Sequence, residues 1–185
     1  MKKRALISVY DKNGIVKFVK DLVKLDWEII STGGTAKVLR KSGIKVIPIE
    51  RITGNSEVFD GRMKTISFQI EGAILFDRKN KKHQKEAKKL GIKPIDMVVC
   101  NFYPFEKEKT LENIDIGGPT MIRAAAKNYK YVTVILDPKD YPRIIKFLQN
   151  KGEVLEKVRL ELAKKAFQKT AKYDQKIAKY FKTKI

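Results

Sequence analysis

Two glycines flanked by hydroxyl residues, Thr32-Gly33-Gly34-Thr35, stand between a short apolar run and an amphipathic stretch. Such a loop offers backbone N–H groups without intervening Cβ atoms, two hydroxyls, and a helix N-terminus whose dipole favours an anion. A phosphate group fits these requirements. The same Gly-Gly turn also serves plain turn chemistry. Lys12, just beyond an earlier apolar run, supplies a cation for the phosphate reading. There is no Gly-x-x-x-x-Gly-Lys-Ser/Thr run and no Gly-x-Gly-x-x-Gly fingerprint, which speaks against NTPase and dinucleotide chemistry.

Three further segments are unusually polar for their positions: Asp60-Gly61-Arg62-Met63-Lys64-Thr65, Asn101-Phe102-Tyr103-Pro104-Phe105, and the stretch from Asn113 through Asp115, Ile116, Gly117 and Gly118 to Lys127 and Asn128. Each has a plain structural alternative. Arg62 and Lys64 serve equally as solvated loop charges, Tyr103 as a core aromatic with its hydroxyl at the surface, and Asp115 as an acid complementing a helix dipole. Lys127 falls about three turns along the helix that Gly117-Gly118 begins, so an approach to Asp115 requires the preceding loop to fold back along it.

The elements that must position these residues follow from apolar periodicity. Residues 5–9 read as a buried strand, 15–25 as an amphipathic helix, 27–31 as a second strand, 36–41 as a helix closed at Gly43, and 46–49 as a third strand. Residues 50–71 are polar and irregular. Residues 73–76 and 97–101 read as central strands separated by a Lys-rich helix, 132–136 as a last strand, and Pro119 suits the first turn of the helix before it. From Val154 onward, apolar residues recur at helical spacing, predicting one or two amphipathic helices packed on the domain. The alternation predicts an α/β fold, a mostly parallel sheet flanked by helices. Its ligand site should lie beyond the carboxyl ends of the strands, where Lys12, Thr32 to Thr35, Asn101 and Tyr103 fall.

Composition bounds the function. The 185 residues predict a single domain over 1–185, with an α/β core to about residue 150 and a helical segment over 153–181. Apolar content of 43% argues against a disordered chain. No apolar stretch approaches the ~20 residues of a membrane span, and one cysteine, Cys100, with one histidine, His83, cannot assemble a zinc site. The expectation is a reduced, cytoplasmic protein without metal or membrane contact. The net charge of +20 attracts anionic metabolites and polyanions, yet the lysines are spread along the chain rather than interleaved with stacking aromatics, which disfavours nucleic acid as the partner.

Taken in order, Ser8-Val9-x-Asp11-Lys12, Ser31-Thr32-Gly33-Gly34-Thr35-Ala36, Gly61-Arg62-x-Lys64-Thr65, Asn101-x-Tyr103-Pro104-Phe105, Ile114-Asp115-Ile116-Gly117-Gly118, Arg123-Ala124-Ala125-Ala126-Lys127-Asn128 and Lys169-Thr170-Ala171-x-Tyr173-Asp174 span nearly the whole chain. Together they resemble the IMP cyclohydrolase domain of the bifunctional purine-biosynthesis PurH family. The resemblance implies a methylglyoxal-synthase-like fold. It also implies dehydrative closure of 5-formamidoimidazole-4-carboxamide ribotide (FAICAR) to inosine monophosphate (IMP), without cofactor or metal. By the same resemblance Lys64 would donate to the formyl oxygen, and Tyr103, Asp115 and Lys127 would form a proton-transfer network. Lys12, Thr32, Gly33, Gly34, Thr35 and Arg62 would hold the phosphate and ribose, with Asn101, Ile116 and Gly117 also lining the substrate.

The sequence departs from the family pattern where Ser67 and Glu71 replace two histidines and where Tyr10 replaces a small hydroxyl residue. The 185 residues leave no room for a transformylase half, so a separate enzyme would supply FAICAR, and the reading leaves room for a homodimer. Two alternatives share the fold: methylglyoxal synthase, and a regulatory module that binds a nucleotide or phosphate without turning it over.

Overall fold

The computed structural model describes residues 2–182. Five strands, β1 (Arg4–Val9), β2 (Glu28–Ser31), β3 (Ile47–Pro48), β4 (Met97–Asn101) and β5 (Thr133–Ile135), form one all-parallel sheet in the order β3-β2-β1-β4-β5. Ala5 is in register with Ile29 on one side and with Met97 on the other. The central strand is apolar at four of its six positions, and Ala5, Leu6 and Ile7 are buried because both sheet faces are covered.

The helices are α1 (Ile15–Lys24), α2 (Gly33–Lys41), α3 (Glu50–Thr53), α4 (Phe68–Leu75), α5 (Lys81–Lys89), α6 (Gly117–Lys127), α7 (Tyr141–Lys151) and α8 (Glu156–Lys182). Helix α1 buries Ile15, Phe18, Val19 and Leu22, one stripe at helical spacing, and Phe18 stacks on Tyr141 of α7 at 4.4 Å. Helix α1 also packs against α2, while α6 packs with α4 and α8. The chain steps from β1 towards one edge and from β4 towards the other, so right-handed crossovers put the two helical groups on opposite faces. The reversal of strand order falls between β1 and β4. A crevice opens there, beyond the strands' carboxyl ends.

The C-terminal segment is one helix, α8, with Val158, Leu162, Ala163, Ala166, Thr170 and Tyr173 buried against the body of the fold. Its start is tied down by Arg159, which donates to the carbonyls of Tyr129 at 2.8 Å and Lys130 at 2.7 Å. Lys165 pairs with Asp137 at 2.9 Å and Asp140 at 2.7 Å.

One expected element has the wrong type. Residues 73–76 are not a central strand: Ala73, Ile74 and Leu75 complete α4, and Phe76 caps it in extended conformation. The Ser67 side chain accepts from the Ile70 N–H at 3.1 Å, and Ile70, Ala73 and Ile74 are buried at helical spacing. A four-residue apolar run carries no period that separates the two types, and β4 pairs directly with β1, leaving no slot between them. Residues 50–71 are correspondingly less irregular than expected, since α3 and the start of α4 lie in them. Helix α2 begins three residues early, at Gly33, and β3 is only Ile47–Pro48.

Asp96 locks the amino ends of the two central strands. Its carboxylate accepts from the Arg4 N–H at 2.8 Å and pairs with Arg78, whose guanidinium also donates to the Ile95 carbonyl at 2.6 Å. Asp96→Ala leaves the Arg4 N–H and one end of the Arg78 guanidinium without their acceptor in a mostly buried setting. It should lower unfolding free energy by about 2–3 kcal/mol, read as a lower urea midpoint at unchanged slope; an unaltered midpoint refutes the lock.

Candidate active site

The carboxyl ends of β1, β2 and β4 open into a cavity of about 920 Å³. At its floor, α2 starts directly from β2, with Gly33 at φ +51°, a conformation a side chain would strain. The first N–H groups of a helix have no intrahelical partner, and here they face the cavity together with Thr32. Thr32 is 5% exposed and its Oγ1 has no hydrogen-bond partner among the described residues. A buried hydroxyl in this state is free to bond whatever occupies the cavity.

Two lysines reach this turn from opposite sides. The Lys12 ammonium donates to the Tyr10 carbonyl at 3.1 Å, and its Cε lies 3.9 Å from where a Cβ on Gly34 would stand. Lys64 Nζ lies 3.4 Å from the corresponding position on Gly33 and is paired with the Glu57 carboxylate. Both lysine side chains thus lie in van der Waals range of this turn, whose requirement for glycine at position 33 comes from its positive φ. Arg62 lines the rim, where it pairs with Glu112 in an exposed ion pair.

Other expected contact residues also line the cavity, two of them with side chains bonded to the neighbouring backbone. The Thr35 hydroxyl accepts from the Val9 N–H and donates to the Val9 carbonyl, both at 3.0 Å, so only its N–H remains for a ligand. Asn101 Oδ1 accepts from the Asp11 N–H at 2.8 Å and its Nδ2 donates to the Asp11 carbonyl at 3.3 Å. Its carboxamide thus holds the loop that carries Lys12. Tyr103 lines the cavity and meets the ring of Tyr10 edge-on, with centroids 4.8 Å apart.

Across the cavity, α6 opens with Ile116, Gly117 and Gly118. Asp115 Oδ1 accepts from the Gly118 N–H at 2.8 Å, while the Asp115 N–H donates to the Tyr173 hydroxyl of α8 at 2.8 Å. Burial pushes the Asp115 carboxyl above its ordinary value, against the opposing pull of the Gly118 N–H. Gly117 faces Thr65 Oγ1 and Gly118 faces the Asp115 carboxylate, neither with space for a Cβ. Behind this turn the Cys100 thiol is buried, which pushes its pKa up and keeps it from acting as a thiolate nucleophile.

Lys127 is not in this cavity. It sits in the last turn of α6, about 15 Å of helix rise from Gly117, in a groove of about 700 Å³ shared with Glu71, Arg123 and Phe167. A straight helix keeps its two ends apart, and the loop at Asp115 turns towards α8 instead of folding back. The expected Asp115–Lys127 network therefore does not form within one chain. His83 accepts from the Asp77 N–H at 3.1 Å on the far side of the sheet's helical layer and contributes nothing to the cavity. Among the described residues no group of histidine, cysteine and carboxylate side chains could hold a metal ion, and no helix is long and apolar enough to cross a membrane.

Sequence reasoning missed Glu57 and Tyr173 as site residues. Glu57 was legible as the opposite charge flanking the Asp60-Gly61 turn from Lys64; Tyr173 had no local signal for a contact 58 residues away.

Comparison with known proteins matches residues 14–134 to the MGS-like domain and residues 125–185 to the AICARFT/IMPCHase bienzyme family. The chain is 50% identical over 97% of its length to the bifunctional purine biosynthesis protein PurH of Bacillus mycoides, and 51% identical over 98% to that of Caldicellulosiruptor bescii. It spans 37% of each of these relatives. The crystal structure of ForH superposes with a TM-score of 0.89 at 34% identity, covering 98% of this chain and all of that one.

In the α6 groove, Glu71 Oε1 is buried without a hydrogen-bond partner among the described residues, and burial pushes the carboxyl up to about 7 from 4.5. The folded state then holds this proton where the unfolded chain has released it, so Glu71 lowers stability as pH rises from about 4.5 to about 7 and imposes its full cost above that. Glu71→Gln should melt higher than wild type at pH 8 and equal it near pH 4; parallel melting curves across that range would refute the assignment.

Proposed function

The chain belongs to the MGS-like domain family, and we propose that it is an IMP cyclohydrolase, closing the pyrimidine ring of FAICAR to give IMP and water. The observation that carries this reading is the content of one cavity: a phosphate cradle with an unpartnered Thr32 hydroxyl and Lys12 at one side, and Lys64, Tyr103 and the desolvated Asp115 around the rest. Half-identity to PurH along nearly the full chain supports the same reading.

The ribotide phosphate would sit on the N–H groups that open α2, with Thr32 and Lys12. The carboxamide nitrogen is a poor nucleophile, so the site must align it with the formyl carbon and remove a proton as the bond forms. As the N–C bond forms, the carbonyl electron pair moves onto the formyl oxygen, where the Lys64 ammonium stabilises the charge and donates a proton. Asp115, whose carboxyl burial pushes above its ordinary value, accepts the proton from the attacking nitrogen, with Tyr103 lining the same cavity. Loss of the former formyl oxygen as water, with the proton of the former formamide nitrogen, leaves the C=N bond of IMP. Lys127 has no step within one chain.

A binding module of the same fold would use the cradle alone. Its test is the same: FAICAR incubated with the protein should yield the hypoxanthine absorbance of IMP. Folded protein that binds IMP without making it would establish the module instead. Lys64→Ala should lower kcat ~100- to 1000-fold with little change in KM, the usual effect of losing one donor to a developing oxyanion. A near-normal kcat removes Lys64 from the mechanism.

The phosphate end touches ground state and transition state alike, so Lys12→Ala should chiefly raise KM. IMP should raise the melting temperature of the wild type far more than inosine, which lacks the phosphate; equal protection by both would refute the cradle.

A further inference from the structure

Lys64 follows a tight hairpin. Val58 and Met63 pair antiparallel, with the Val58 N–H on the Met63 carbonyl at 3.1 Å and the reverse bond at 3.3 Å. Between them Phe59, Asp60 and Gly61 hold φ of 55°, 53° and 89°, three successive left-handed residues of which two are not glycine. That conformation is costly and persists only where surrounding contacts enforce it. The apolar tip supplies none, since Phe59 is 71% exposed.

The residue that precedes the hairpin packs over it. Glu57 folds its side chain inward, so that Oε1 stands 2.6 Å from where a Cβ on Gly61 would be, and its other oxygen pairs with Lys64. One carboxylate thus closes over the turn and holds the ammonium that follows it. Lys64 needs such a partner: its stem is flexible, and Asp60, Glu112 and Asp115 line the same cavity as competing anions.

We propose that Glu57 is the positioning residue for Lys64, clamping the base of the hairpin so that the ammonium stands over Gly33 instead of drifting to the other carboxylates. Glu57 acts through Lys64 and touches no reacting atom. The inference rests on the cyclohydrolase reading for its kinetic consequence and on the ion pair alone for its structural one.

The two are tested separately on the full chain. With FAICAR as substrate, Glu57→Gln should lower kcat about 10-fold at nearly constant KM, the scale of a misplaced catalytic group. Glu57→Asp should recover part of the loss. In a Lys64→Ala background, Glu57→Gln should cost nothing more, because the group it positions is gone. Independently of turnover, limited acetylation with acetic anhydride, read by mass spectrometry, should modify Lys64 about two- to fivefold faster in Glu57→Gln than in wild type, as expected when an ion pair of this exposure is released. An unchanged Lys64 acetylation rate, or a kcat loss of the same size with and without Lys64, overturns the proposal. If the wild type leaves FAICAR unchanged, the cyclohydrolase reading fails and the acetylation comparison alone decides for or against the clamp.

Discussion

Three sources of positive potential crowd the first turn of α2: the unpaired N–H groups that open the helix, the Lys12 ammonium beside Gly34, and the Lys64 ammonium beside Gly33. Unopposed, these groups repel one another. The protein holds them apart from solvent anions with two internal counterweights, the Tyr10 carbonyl against Lys12 and the Glu57 carboxylate against Lys64. A phosphate dianion would satisfy all three sources at once, which is the electrostatic basis of the proposed cradle.

The rest of the fold keeps this concentration of charge at one place. Strand order reverses between β1 and β4, so the crevice lies where no crossover covers the strand ends. Thr35 and Asn101 line the cavity but spend their side chains on the neighbouring backbone. The Thr35 hydroxyl stitches α2 to the end of β1, and the Asn101 carboxamide stitches the following loop to β4. Polar side chains at strand ends look alike in a sequence whether they meet a ligand or the neighbouring backbone.

That ambiguity marks the limit of what the sequence discloses. The βαβ alternation was legible because buried parallel strands and amphipathic helices have distinct periods, and the resulting topology puts Lys12, Thr32, Asn101 and Tyr103 at one edge of the sheet. Residues 73–76 were misread because a short apolar run has no period, and a capping serine six residues upstream of Ala73 decided the matter. Lys127 was grouped with Asp115 by resemblance to a family motif, although the geometry of a straight helix separates them. Glu57 could be read only as an opposite charge near Lys64; its position over the turn depends on three successive left-handed residues, which no local pattern announces.

The hydrogen bond from the Asp115 N–H to the Tyr173 hydroxyl joins the centre of the cavity to the last helix of the fold, with the Tyr173 ring seated 4.4 Å from that of Phe102. During synthesis, β1 to β5 emerge from the ribosome before α8. All five strands are then present while the loop at Asp115 still lacks the hydroxyl that orients it. The geometry of the cavity at Asp115 is therefore complete only once the last helix has docked.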